Sequence, residues 1–185
     1  MIHMPATNTT DRYGYVAQLL HWAVVGLVIT QFVLVSIIEE LPRSSLERFE
    51  VTSLHKSVGI TVLLLAVARL AWRAYSPPPL LPGSMRPWAR GVAQLTHFAL
   101  YGILFMLPLS GWLWSNSAGY AVNYFGLVDL PRLMSRNESL RDVFHDGHEL
   151  LATALFALAL LHVAAALKHH FLDRDTVLRR MLPWG

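Results

Sequence analysis

The sequence predicts an all-α integral membrane protein: a bundle of four transmembrane helices with both termini on the cytoplasmic side. Three observations carry this expectation. Of 185 residues, 54% are hydrophobic and only 15% charged, against roughly a quarter charged in soluble domains. Four apolar stretches each reach the roughly 20 residues that a helix needs to cross a hydrocarbon core. Lys and Arg fall unevenly between the two sets of loops that four crossings create, and cytoplasmic loops carry the excess.

The first expected span, residues 15–38, runs 24 residues without a charge. It ends at Glu39, Glu40, Leu41 and Pro42 rather than at a small-residue cleavage site, so it is expected to be retained and not removed as a signal peptide. The second, residues 54–74, stops before Pro77, Pro78 and Pro79, whose fixed φ and missing N–H groups prevent helix continuation. It carries Lys56, Arg69 and Arg73. The third, residues 91–115, is uncharged, with Pro108 and Gly111 as expected kink points. The fourth, residues 147–169, has Leu150 to Leu167 as its continuous apolar core. The longest connection, Asn116 to about Asp146, interleaves aromatic and charged residues as interfacial segments do. One membrane domain over residues 1–185 accounts for the whole chain.

Threading the chain through these spans puts nine Lys and Arg on the side of the termini and six on the other, with three acids against nine. The inner face is then +6 and the outer −3. The small net charge of +3, scattered around apolar runs, gives no footprint for nucleic acid. The absence of cysteine excludes disulfides, thiolate zinc sites, cysteine-ligated iron–sulfur clusters and covalent c-type haem.

Ionisable residues within a span are rare and mark functional paths, so the histidines carry the most information. His148 and His162 are 14 residues apart on the fourth span. At helical pitch they differ by about 40° in direction and roughly 21 Å in height, sharing one face at two membrane levels. His21 sits in the inner part of the first span, level with His162. His55 opens the second span at the outer side, level with His148. Neutral imidazole is a common axial ligand of haem iron. The four are therefore candidate ligands of two b haems, an inner one between His21 and His162 and an outer one between His55 and His148. Two axial histidines leave no open iron position, which suits electron transfer. The competing reading makes the four helix-packing or proton-path residues.

Several neighbours have two readings each. His145 differs in direction from His162 by about 100° and is the poorer ligand candidate. His97 competes with His21 and is assigned a supporting or quinone-side role. Zinc at His145 and His148, or at His169 and His170, lacks a thiolate or third ligand. Arg69, 14 residues after His55, either pairs with an inner haem propionate or snorkels to the headgroups. Lys56 either neutralises an outer propionate or reaches water. Gly59 leaves room for a porphyrin face or for helix packing. His169, about 10 Å beyond His162 toward the inner surface, either hydrogen-bonds a quinone and passes a proton or is an interfacial residue. Tyr13, Tyr15, Trp22, Trp72 and Trp88 fit an aromatic belt.

The stretches Leu20-His21-Trp22, Leu54-His55-Lys56-Ser57-Val58-Gly59, Ala68-Arg69-Leu70, Ser76-Pro77-Pro78-Pro79, Leu107-Pro108-Leu109-Ser110-Gly111-Trp112, His148-Glu149 and Leu161-His162-Val163-Ala164 through Lys168-His169-His170 span nearly the whole chain. Together they resemble the bacterial cytochrome b561 family. The resemblance implies a multi-pass di-haem cytochrome of the bacterial inner membrane, with His21 and His162 on the inner haem, His55 and His148 on the outer, and ubiquinone near His169. Some members are superoxide oxidases. For those, the implied path runs from superoxide, giving dioxygen, through the periplasmic and then the cytoplasmic haem to ubiquinone, giving ubiquinol. Other four-span relatives relay electrons for periplasmic proteins or dehydrogenases, which is the alternative expectation. An anionic substrate is steered by a positive entrance, whereas the outer face sums to −3 with Lys56 and nearby arginines as its local funnel. Lipid, ubiquinone and superoxide or another periplasmic donor are the expected partners.

Overall fold

The computed structural model describes residues 5–81, 83 and 85–183; the two ends of the expected 1–185 unit lie outside the described residues. Four long helices form the molecule: α1 (Tyr15–Glu40), α2 (Leu46–Tyr75), α3 (Pro87–Ser117) and α4 (Glu138–Phe171). All four are long and apolar enough to cross a membrane. A two-residue hairpin, β1 (Asn123–Tyr124) antiparallel to β2 (Val128–Asp129), interrupts the α3–α4 connection. A single 3-10 turn, Arg179–Met181, follows α4.

Each helix extends past the apolar stretch expected of it, and in α2 and α4 the start is set by a capping side chain and not by hydropathy. Ser45 accepts a hydrogen bond from the Arg48 N–H and opens α2 at Leu46. Asn137 likewise accepts from the Leu140 N–H and opens α4 at Glu138, ahead of the expected residue 147. Glu47 and Glu138 in these first turns favour the positive end of the helix dipole. At the other end of α1, the Arg48 guanidinium donates to the carbonyls of Ile38 and Leu41, closing the α1–α2 corner.

Close backbone packing joins α1 to α2, α3 to α4 and α2 to α3. The middle of the bundle is a small apolar layer of Val24, Val62, Ala66 and Leu104, with Leu27, Val28, Leu65 and Phe105 around it. The outward faces are apolar, with Leu19, Leu64, Phe98 and Leu160 exposed. Lipid tails are as apolar as leucine, so helix association there depends on packing and on hydrogen bonds rather than on burial. Polar closures at the two ends supply many of those bonds.

At one end, the 118–137 connection folds back over α2 and α3 instead of spreading as an interfacial segment. Ser57, buried on α2, accepts from the Phe125 N–H at 3.0 Å and donates to Asn123 O at 3.2 Å. That anchor holds Phe125 at φ 52°, a left-handed conformation uncommon for a side-chain-bearing residue. Asn116, 2% exposed, donates to Tyr120 O at 3.1 Å and accepts from the Leu133 N–H at 2.8 Å.

At the other end, the N- and C-terminal segments interlock. Asn8 bonds Ser76 and accepts from the Gly14 N–H. A Cβ on Gly14 would run into the carbonyls of Ala6 and Thr7, so only glycine admits this approach. Gln18 donates to Tyr13 O, Arg180 O and Leu182 O, and Trp22 Nε1 donates to Met181 O at 2.9 Å. The tail thus lies beneath α1.

Asn116→Ala leaves the Leu133 N–H without its partner and the Tyr120 carbonyl with only the longer bond from Ser115 Oγ at 3.4 Å. A loss of about 1–3 kcal/mol is expected, read as a lower thermal unfolding midpoint in detergent, with the helical circular dichroism of the folded protein unchanged.

Candidate functional site

The structure brings four of the intramembrane histidines together in two pairs. His21 of α1 faces His162 of α4 with ring centroids 6.4 Å apart, and His55 of α2 faces His148 of α4 at 6.3 Å. The pairs lie on opposite sides of the central apolar layer. The first is at the end of the termini and the second at the hairpin end. Neither α1–α4 nor α2–α4 is a closely packed helix pair, so both histidine pairs span the looser interhelical spaces of the bundle.

His148 is held by α3. Its Nδ1 lies 3.1 Å from Leu107 O and 3.1 Å from Ser110 Oγ, and a carbonyl partner favours protonated Nδ1, leaving Nε2 the lone-pair nitrogen. A Cβ on Gly111 would lie 2.9 Å from His148 Cε1 and 3.2 Å from Nδ1. Leu107, Ser110 and Gly111, in the stretch where Pro108 and Gly111 were read from the sequence as kink points, are thus the seat of His148. His21 and His55 differ, since their Nδ1 atoms are buried with no hydrogen-bond partner among the described residues. Gln31 Nε2 donates to the backbone carbonyl of His55 at 3.1 Å, and a Cβ on Gly59 would meet that amide at 3.0 Å. The space at Gly59 therefore admits Gln31.

His97 of α3 lies 5.3 Å from the His162 ring, making the level near the termini a cluster of three histidines. His97 reaches His162 across the closely packed α3–α4 pair, His21 across the looser α1–α4 space. His145 meets Trp114 edge-on at 4.6 Å and contacts Asp146 and Glu149, the same Trp114 ring lying 5.8 Å from His148. Arg69 lies over the Tyr101 ring at 5.4 Å, with no acid paired to it among the described residues. Beside it, burial raises the Tyr13 phenol above its ordinary pKa against the opposing pull of Arg73 and Arg69, so Tyr13 stays a neutral hydrogen-bond donor. Lys56 Nζ donates to Ser115 Oγ at 2.8 Å and sits 5.6 Å from the Tyr120 ring, under the folded-back connection.

His169 ends α4 against two aspartates that sequence reasoning counted only as charges. Its Nδ1 lies 2.6 Å from Asp175 Oδ2 and 3.2 Å from Asp173 Oδ2. These three could in principle hold a metal ion, but Lys168 Nζ already occupies both Asp173 oxygens, at 2.9 and 2.7 Å. That hydrogen-bonded ammonium holds the Asp173 carboxyl below the ordinary carboxylate pKa. His170 is turned away, stacked on Phe171 at 4.8 Å.

The family model described as prokaryotic cytochrome b561 matches residues 12–184. The chain belongs to this family. It is 36% identical to cytochrome b561 homolog 2 of Escherichia coli over 97% of this chain and 95% of that protein. It is 32% identical to the probable superoxide oxidase CybB of Yersinia pestis over 89% of this chain and 92% of the relative. Cytochrome b562 of Cereibacter sphaeroides is 27% identical over 88% and 90%. The protein is thus a multi-pass bacterial membrane cytochrome of electron transfer that binds haem b.

Because a Cβ at Gly111 collides with the His148 ring, Gly111→Ala is expected to lower haem content per protein. Gly102→Ala on the same helix meets nothing within 4 Å and is expected to keep it. Pyridine haemochrome assay of the two purified variants checks this.

Proposed function

We propose that this chain carries two b haems, one between His21 and His162 and one between His55 and His148, and that it moves single electrons across the bacterial inner membrane to ubiquinone. The observation that carries the reading is the pair of matched imidazole spacings, 6.4 and 6.3 Å. Two metal–imidazole bonds of about 2 Å each fit between rings so placed. The buried, unpartnered Nδ1 atoms of His21 and His55 and the loose interhelical spaces suit a polar group completing the site. Haem b between two histidines supplies a reversible one-electron couple with no open coordination position.

The residues divide the remaining work. Leu107 O, Ser110 and Gly111 orient His148. Arg69, half-buried and facing no acid among the described residues, is the natural partner of a haem propionate. Lys56, kept in place by Ser115, offers a cation at the hairpin end for the second haem's periphery or an approaching anion. His169 offers a ring nitrogen to a quinone carbonyl at the end of the termini. The excess of Lys and Arg at that end supports a cytoplasmic location for both termini.

Superoxide is the leading donor, supported by the name of the Yersinia relative, a probable superoxide oxidase. Two superoxide anions would yield two dioxygen molecules, while ubiquinone gains two electrons and two protons to become ubiquinol. A second reading, an electron-relay subunit for a periplasmic protein or dehydrogenase, is favoured by the outer face, where nine acids outnumber six cations.

Single His→Ala variants separate the ligand pairs. Loss at His21 or His162 is expected to remove one haem and leave the other, and likewise at His55 or His148. Any of the four variants retaining both haems would break the assignment. Pulsed superoxide is expected to reduce the haem absorbance of the purified protein rapidly; reduction no faster than in buffer controls removes superoxide and leaves the relay reading.

A further inference from the structure

The turn after α4 is built to bring a carboxylate to His169. Arg174 adopts φ 54°, left-handed backbone that a residue with a side chain takes only when its surroundings impose it. The reversal puts Asp173 and Asp175, on either side of it, against the same imidazole nitrogen. Asp175 is secured twice more: its N–H donates to the His169 carbonyl at 3.1 Å, and its Oδ1 accepts from the Val177 N–H at 2.9 Å. Its other oxygen, Oδ2, is 2.6 Å from His169 Nδ1, the length of a charge-assisted bond. Asp173 is committed to Lys168, so Asp175 is the carboxylate given to the ring. Both partners are mostly covered, with side chains 19% and 18% exposed. No hydrogen bond or ion pair reaches His169 from another element among the described residues.

We propose that Asp175 is the positioning residue of a proton-transfer site at His169, fixing the imidazole through Nδ1 so that Nε2 is the nitrogen that exchanges a proton with a quinone oxygen. This rests on the reading of His169 as the quinone-side residue. A carboxylate on one nitrogen of an imidazole fixes its tautomer and orientation and supports the charged ring that forms or discharges during proton transfer, as in hydrolase triads. In ubiquinone reduction the two electrons come from the one-electron donor on the opposite side. At His169 an Nε2–H bond breaks as an O–H bond forms on one carbonyl oxygen. Water at the cytoplasmic face supplies the proton for the second oxygen and restores the one His169 gave.

The test uses the full-length holoprotein in lipid nanodiscs, short-chain ubiquinone as substrate, and Asp175→Asn, Asp175→Glu and His169→Gln variants, each first shown to carry wild-type haem content. Asp175→Asn keeps an oxygen for the Val177 cap but removes the charge. It is expected to lower kcat about tenfold or more with KM little changed, less than the roughly 10²–10⁴-fold that the acid–base group itself contributes, and Asp175→Glu is expected to restore most of it. Independently of turnover, 15N-histidine NMR is expected to show His169, identified by its signal's loss in His169→Gln, protonated at Nδ1. A neutral His169 protonated at Nε2 instead overturns the proposal. So does an Asp175→Asn variant with wild-type kcat while His169→Gln has lost turnover, and in that case the quinone site stands. A His169→Gln variant with wild-type kcat and KM overturns the quinone site itself.

Discussion

An imidazole inside hydrocarbon has two nitrogens to satisfy and no water to satisfy them with. Five such rings, the two pairs and His97, occupy this bundle, and much of its construction follows from that expense. α4 carries one member of each pair, so a single helix sets the separation of the two levels at roughly 21 Å through its 1.5 Å rise. The helices that supply the opposite members, α1 and α2, are packed closely on one another and approach α4 less closely, α1 through Phe32 against Phe156. Space is therefore kept open where the histidines meet and closed where they do not. Between the two levels, Val24, Val62, Ala66 and Leu104 close the bundle with side chains that have no polar atoms to satisfy.

The two ends solve the problem of an open bundle differently. The hairpin end is closed by backbone folded back from the α3–α4 connection, tied by Ser57, Asn116 and Ser117 to the helices beneath it. Lys56 is held there by Ser115, so its charge is fixed in place rather than swinging in solvent. The end of the termini is closed by the chain's own beginning and end, joined through Arg12, Gln18 and Trp22. His169 lies within this second closure, its tail-side neighbour Asp175 belonging to the segment that continues under α1. The element that seals the bundle therefore also supplies the partner of the histidine at that end.

What was legible in the sequence was whatever depends on local periodicity and composition. Helix count, the shared face of His148 and His162, and the matched levels of His21 and His55 all follow from 3.6 residues per turn. Helix ends were less legible, because Ser45 and Asn137 start α2 and α4 in polar sequence where hydropathy has no signal. Partners across space were not legible. Nothing local says that Leu107 O and Ser110 serve His148, or that His97 stacks against His162. Pro108 and Gly111 were noticed as kink points, but that the missing Cβ of Gly111 also makes room for a ring on another helix was not. Asp175 escaped notice because its approach to His169 depends on one left-handed residue beyond the helix end, a conformation that an arginine does not advertise.

The asymmetry of the molecule bears on the direction of chemistry across it. On the proposed reading, electrons cross the apolar layer while protons are handled only at the end of the termini, where His169, Asp173 and Asp175 meet water. Among the described residues the hairpin end has no comparable buried carboxylate on its histidine pair; His148 is held by a carbonyl and a hydroxyl, and the nearby acids Asp146 and Glu149 contact His145 instead. Such a site favours a donor that gives up an electron without a proton to be removed at the same place, as an anionic radical or a docked redox protein does. The acidic outer surface then discriminates between those two donors. A small anion must be drawn past it by the fixed charge of Lys56, whereas a cationic protein is attracted by it directly. The bundle itself serves either, because the feature that commits the chemistry, two imidazole pairs on opposite sides of a dry layer, lies beneath both.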